Sequence, residues 1–287
     1  MPPGHATVIA GFGRSCLLRP DGGALMPAHA RNRRLEMVAG DRVQLLERGV
    51  IEAVAPRRSV FARASEFRTK VLAANVTRVV ILAACEPSFA DELICRMLVV
   101  AERCALPALV ALNKIDLAAR CDAARERLEP FRVAGYPVIE LAAKFDVAPL
   151  RPHLQGERTL LAGQSGMGKS TLVRALVPDA EVRIGEISRF LDAGRQSTTA
   201  SRLYSLDAES EIVDTPGVSE FGLAGLSARD IAEGFREFAP HASGCRFNDC
   251  RHLAEPSCAV RAAAASGAIH PRRLELYERI VRLEKAK

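Results

Sequence analysis

No apolar run in this chain approaches the roughly 20 residues of a membrane-spanning helix, so no spanning segment and no membrane partner are expected. The opening MPPGHATVIAGFG has no basic stretch followed by a long apolar core. A secretory signal is therefore not expected, and the cytoplasm is the expected compartment. There is no internal repeat and no low-complexity linker, which excludes solenoid and tethered-array architectures. What remains is an ordinary globular composition of 287 residues, 48% hydrophobic and 26% charged, long enough for two or three packed domains. The formal net charge of +6 leaves two readings open: an anionic partner, with nucleic acid first, or a basic protein with no polyanion partner. Nothing in the sequence hints at an oligomer, and a monomer is expected.

The eight cysteines are unevenly placed. Cys16, Cys85, Cys95, Cys104 and Cys121 are scattered, several within apolar segments, and read as small buried hydrophobes. Cys245, Cys250 and Cys258 crowd together near the C-terminus, where a reducing compartment favours metal over disulfide.

Three regions follow along the chain. Residues 1–65 hold short apolar runs broken by glycine, such as ATVIAGFG and MVAGDRVQLL, which suggest a small β-barrel. Periodicity leaves an oligonucleotide-binding barrel and an SH3-like barrel equally open. Basic residues gather here and just beyond: Arg31, Arg33, Arg34, Arg57, Arg58, Arg63, Arg68 and Lys70. They suit either a groove for phosphate backbone or a solvated face. Residues 66–235 alternate near-continuous apolar runs (VTRVVILAA, ALVAL, RTLLAG) with helical patterns, the signature of buried parallel strands in an α/β domain. Residues 236–287 carry the cysteine cluster and PRRLELYERIVRLEKAK. There Leu274, Tyr277, Ile280, Val281 and Leu283 fall on one stripe of a packing helix.

Chemistry concentrates in the central region. Gly163-Gln164-Ser165-Gly166-Met167-Gly168-Lys169-Ser170, followed by Thr171, reads G-x-x-x-x-G-K-S between a strand and a helix. Its glycines let backbone N–H groups wrap phosphates, Lys169 reaches the β- and γ-phosphates, and the Ser170 hydroxyl suits Mg²⁺. Asp214-Thr215-Pro216-Gly217 follows the strand EIV, with Asp214 placed to hold Mg²⁺ and Gly217 to meet the γ-phosphate. Asn113-Lys114-Ile115-Asp116 follows LVAL. Asn113 would brace the phosphate loop, Lys114 would lie along the base, and a buried Asp116 would accept the two N–H groups that guanine has and adenine lacks. The competing reading makes Asp116 a helix N-cap in a plain turn. Further base contacts are expected from backbone N–H groups near Ala142 and Ala143. An ATP-dependent kinase on the same loop is disfavoured by Asn113 and Asp116. The base motif precedes the phosphate loop, the reverse of the usual order. Ligands bind at the carboxyl ends of parallel strands, so chain order does not matter to the pocket. The order is a circular permutation.

Cys245, Cys250, His252 and Cys258 form C-x4-C-x-H-x5-C, a donor set that closes a tetrahedral Zn²⁺ site without an open position. His241 is the rival imidazole.

Together these stretches (LAANVTRVVILAA, LNKIDL, AGQSGMGKSTL, GRQSTTASRLYSL, DTPGVSEFGL and CRFNDCRHLAEPSCAV) closely resemble the ribosome small-subunit-dependent GTPase A family. That resemblance implies an oligonucleotide-binding barrel, a central permuted GTPase and a C-terminal zinc domain. It also implies GTP hydrolysis stimulated by the small ribosomal subunit and its 16S rRNA, in late small-subunit maturation, with GTP and GDP as ligands. The family's switch segment reads Gly-x-His-Thr-Thr-Thr, whereas residues 194–199 here read Gly-Arg-Gln-Ser-Thr-Thr. Thr198 keeps a Mg²⁺-ligating position, while Gln196 replaces the family's water-orienting His. The residue after Asp-Thr-Pro-Gly is Val218, which cannot orient water. Gln196, Thr198 and Lys169 are therefore the expected catalytic set, with Gln196 orienting water without acting as a base. The alternative is an RNA-binding nucleotide switch with little turnover.

Overall fold

The computed structural model describes residues 4–32, 35–46, 49–65, 68–179, 200–217 and 220–285. Five strands close the N-terminal barrel: β1 (Gly4–Phe12), β2 (Ser15–Pro20), β3 (Met26–Ala30), β4 (Arg42–Leu45) and β5 (Val50–Val54). β1 pairs antiparallel with both β2 and β4, β4 pairs with β5, and β3 runs parallel to β5. The circuit 1-2-3-5-4-1 leaves no free edge and gives the oligonucleotide-binding barrel.

Alternation along β1 and β2 serves two cores at once. Ala6, Val8, Cys16 and Leu18 point into the barrel with Val43 and Ile51. Ile9 and Leu17, on the opposite face, join the main core of the central domain. β1 also bridges to that domain's sheet through Ala10 and Arg202. The seam is charged: Glu211 accepts both Arg19 and Arg158, and Arg158 donates to the Gly40 carbonyl at 2.9 Å.

The hairpin of β6 (Val60–Ser65) and β7 (Arg68–Ala74) straddles the expected 65/66 boundary and packs toward the central domain. Phe61 meets Phe221 with ring centroids 5.7 Å apart. The central sheet then takes β8 (Arg78–Ala84), β9 (Ala108–Asn113), β10 (Val138–Glu140), β11 (Arg158–Gly163), β12 (Arg202–Ser205) and β13 (Glu211–Asp214). Its order is β10-β9-β8-β11-β13-β12, parallel except for β12. β9 is buried at every position and β8 at all but its first, which explains their near-continuous apolar runs. Helices α1 (Asp91–Arg103), α2 (Cys121–Val133) and α3 (Lys169–Leu176) connect these strands.

α4 (Ala228–Glu233) ends the central region, and the C-terminal region adds the single turn α5 (Ala239–Ala242), α6 (Ala259–Ala265) and α7 (Pro271–Lys285). The expected stripe on α7 holds for Tyr277, Ile280 and Val281, which are buried, with Leu274 partly covered. Leu283 departs from it and is 40% exposed. Leu276 and Arg273 are buried instead, Arg273 because its guanidinium bonds Glu237 and stacks over Phe235 at 4.4 Å. Among the described residues, no helix is long and apolar enough to cross a membrane.

Two further expectations change. Cys85 and Cys121, read as isolated buried hydrophobes, are joined in a disulfide with Cα atoms 4.8 Å apart. Arg57, a candidate for a phosphate-binding groove, is taken up by the fully buried Asp41 through bonds of 2.7 and 2.8 Å. Arg33, Arg34 and the Arg68 side chain lie outside the described residues.

Candidate functional site

Three of the parallel strands end on a motif residue: β9 on Asn113, β11 on Gly163 and β13 on Asp214. Their carboxyl ends form one rim, so residues 50 positions apart in sequence converge there. Asn113 is 2% exposed and joins two loops. Its Nδ2 donates to the Met167 carbonyl at 3.0 Å, and its Oδ1 accepts the Ala143 N–H at 2.9 Å. The Ala143 N–H, expected to face the base, is thus already engaged by Asn113. Lys114, with φ of 65°, extends its Nζ to the Gly166 carbonyl at 2.9 Å. The base motif is therefore seated on the phosphate loop in this state.

The phosphate loop needs glycine for reasons of space. A Cβ at Gly168 (φ +93°) would lie 2.3 Å from the Asn113 amide nitrogen. At Gly163 (φ +148°) it would lie 2.6 Å from the Leu82 carbonyl. Gln164 accepts the Ala90 N–H at 3.1 Å, Met167 is buried, and Ser165, Ser170 and Thr171 face solvent at the loop and the start of α3. Lys169 is buried and donates to the Gly163 carbonyl at 2.9 Å. Burial lowers its pKa, against the opposing pull of Asp214. Burial likewise pushes the Asp214 carboxyl up to about 6, opposed by Lys169 and Arg202. One Asp214 oxygen is buried without a hydrogen-bond partner, a costly arrangement that a divalent cation would relieve. Gly217 lies against this centre: a Cβ there would be 3.2 Å from Lys169 Nζ and 3.2 Å from Ser165 Cα. Thr215 fixes the approach by donating to the Leu161 carbonyl at 2.7 Å.

Asp116 differs from its sequence reading. It is exposed rather than buried, and it caps no helix, because the next turn starts at Ala118 with Leu117 at its N-cap. Gln196, Thr198 and Val218 lie outside the described residues.

The second cluster is local. The donor atoms of Cys245, Cys250, His252 and Cys258 lie within 4.8 Å of one another. His252 Nδ1 is 3.6 Å from the Cys245 sulfur and 3.3 Å from that of Cys258, and those two sulfurs are 3.9 Å apart. Tetrahedral bonds of about 2.3 Å to sulfur put sulfurs about 3.7 Å apart, so the set fits one Zn²⁺. His241 is not part of it. The His252 ring is held edge-on to Phe238, with centroids 5.9 Å apart, and Tyr277 donates to the Arg251 carbonyl at 2.6 Å beside it.

A family model described as RsgA GTPase matches residues 54–224. A relative from Nitrosospira multiformis, named small ribosomal subunit biogenesis GTPase RsgA, is 43% identical across 98% of this chain and 91% of its own length. The chain belongs to the RsgA GTPase family. A Ralstonia pickettii relative of the same name is also 43% identical, over 96% of this chain and 92% of its own. The fold agrees: YjeQ from Thermotoga maritima matches with a TM-score of 0.78 at 25% identity, covering 99% of both chains. YloQ, a circularly permuted GTPase, matches in fold with a TM-score of 0.72 at 22% identity, over 99% of this chain and 96% of its own. As an RsgA GTPase the protein is a GTP hydrolase with the permuted motif order inferred from its sequence.

Proposed function

We propose that this RsgA GTPase binds GTP between Asn113 and Asp116 on one side and residues 163–171 on the other, and hydrolyses it when docked on the small ribosomal subunit. Asn113 carries this reading, since one buried side chain bonds both the phosphate loop and the loop after β10. Such a brace makes base recognition and phosphate grip a single event. Asp116, exposed beside it, offers both oxygens to the guanine N1–H and 2-amino groups. Lys169 neutralises the β- and γ-phosphates, and Gly217 is close enough to Lys169 for its N–H to meet the γ-phosphate. Ser170, Asp214 and Thr198 would hold Mg²⁺, which supplies charge neutralisation across the transferred phosphoryl oxygens. The unpartnered Asp214 oxygen supports that assignment. Gln196 would orient the attacking water.

The Cys245, Cys250, His252 and Cys258 site would be a closed structural Zn²⁺ centre with no open position for substrate. The relatives' name supports the small subunit as partner and ribosome biogenesis as the process. We place the protein in the cytoplasm as a monomer, with the barrel contacting 16S rRNA. The test is steady-state GTP hydrolysis by zinc-replete protein, alone and with purified small or large subunits. Stimulation by small subunits only is expected. Tight GTP binding without stimulation would instead establish a nucleotide switch with little turnover, consistent with Val218 and the absent family His.

A further inference from the structure

The disulfide between Cys85 and Cys121 sits at the joint between the base loop and the phosphate loop. Cys85 directly follows β8, and its N–H donates to the Asn113 carbonyl at 3.1 Å. The segment it begins reaches the phosphate loop, where Pro87 Cγ lies 3.1 Å from the position a Cβ on Gly166 would take. Ala90 in the same segment is held by Gln164. Cys121 opens α2 with no exposure, directly beneath the base loop. Its sulfur lies 3.4 Å from the Leu117 carbonyl, 3.7 Å from that of Ile115 and 3.8 Å from that of Lys114. A second tie, Arg120 to Glu86 at 3.1 Å, joins the same two segments at the surface. The covalent bond thus spans the two halves of the nucleotide pocket.

We propose that Cys85 and Cys121 are a reversible thiol–disulfide pair whose state sets how fast guanine nucleotide leaves. This rests on the base-reading assignment of Asn113 and Asp116. Reduction replaces the covalent tie by two thiols in van der Waals contact, so the two segments are free to part. Cys85 cannot yield readily, because it continues a buried central strand and is bonded to Asn113. The movement falls on residues 116–120, which are exposed. Reduction also returns a proton to Cys121, which can then donate to one of the three carbonyls, most directly Leu117; the disulfide sulfur cannot donate. Both changes reshape the loop that carries Lys114 and Asp116. The oxidised form keeps it seated on the phosphate loop.

The chemistry balances with a peroxide as oxidant. The less buried Cys85, as thiolate, attacks one peroxide oxygen; the O–O bond breaks, hydroxide leaves and is protonated to water, and Cys85 becomes a sulfenic acid. The Cys121 thiolate then attacks that sulfur, the S–O bond breaks, and a second water departs with the Cys121 proton. Two thiols and one hydrogen peroxide give one disulfide and two waters. A dithiol reverses it by exchange.

The experiment follows release of a fluorescent GDP from full-length, zinc-replete protein, either reduced with dithiothreitol or treated with hydrogen peroxide, with zinc content checked in each sample. Peptide mapping after thiol alkylation should find Cys85 linked to Cys121 only in the oxidised sample. Release is expected to be about five- to tenfold slower when oxidised, to recover on re-reduction, and to be insensitive to peroxide in the Cys85→Ala/Cys121→Ala variant and in Cys85→Ser alone. Equal rates in both forms, faster release on oxidation, absence of the link, or a peroxide response retained by both variants would each overturn the proposal. Competition of GDP against ADP on the reduced protein reads the base assignment separately. Loss of guanine preference there would remove that assignment, whatever the two release rates.

Discussion

The two candidate ligand sites are built in opposite ways. The nucleotide rim gathers the last residues of β9, β11 and β13 from distant parts of the chain, and only a finished parallel sheet brings them together. The Cys3His cluster draws all four donors from residues 245–258, a stretch with neither strand nor helix. In the first case the fold makes the site; in the second the site makes the fold. The nucleotide pocket should therefore tolerate loss of its ligand, while the C-terminal segment should not tolerate loss of the proposed zinc.

Removing that metal gives the largest expected effect. Structural zinc contributes on the order of 10 kcal/mol to small domains, so chelation or Cys250→Ser should unravel residues 245–258 and release the Phe238–His252–Tyr277 packing. Limited proteolysis should then cut first within that stretch, while GDP affinity changes by less than about threefold because the rim is held by the sheet. A chelated protein with unchanged melting temperature and protease pattern would erase the contrast. Next comes Asp116→Asn, which replaces an acceptor with a donor amide. GTP affinity should fall about 100-fold or more, and xanthosine triphosphate, with a carbonyl where guanine has its amino group, should bind better than GTP. Competition binding measures both, and retained preference for GTP would remove Asp116 from the base site.

The smallest effect is the most diagnostic of electrostatics. Asp214 is desolvated and its pKa raised to about 6, above the ordinary carboxylate value of 3.8. The folded state therefore holds its proton to higher pH than the unfolded chain does, and stability is lost as pH rises from about 4 to 6. Asp214→Asn should stabilise the ligand-free protein by about 2 kcal/mol at pH 7.5 while abolishing turnover, and the gain should vanish near pH 4. Thermal melts across that range measure it; a variant equally stable or weaker at pH 7.5 would show that the charge is compensated locally.

Much of both sites was legible because their residues are required by backbone geometry or donor chemistry at fixed spacing. Gly168 must lack a Cβ to admit Asn113, and three thiols with one imidazole within fourteen residues suit little besides zinc. Residues that meet only through tertiary packing were not legible. Cys85 and Cys121 are 36 positions apart and come together because β8 and the start of α2 flank the same strand end. Arg57 looked like surface charge until Asp41, fully buried, claimed it. Leu283 kept the right helical phase but fell beyond the surface that α7 covers, and phase alone does not say where a covering surface stops. The exposure of Asp116 was equally hidden, since a strand-end motif says which loop a residue is on and not which way it faces.

β1 has one face in each of two cores, Val8 in the barrel and Ile9 in the sheet domain. β1 already bulges between Val8 and Ala10, and away from that bulge a single inserted or deleted residue would exchange those faces. A length change there would damage both cores at once, where an ordinary edge strand would harm only one. This stretch should therefore accept substitutions of matched size but refuse every indel, obliging the barrel and the GTPase domain to drift through evolution as one unit.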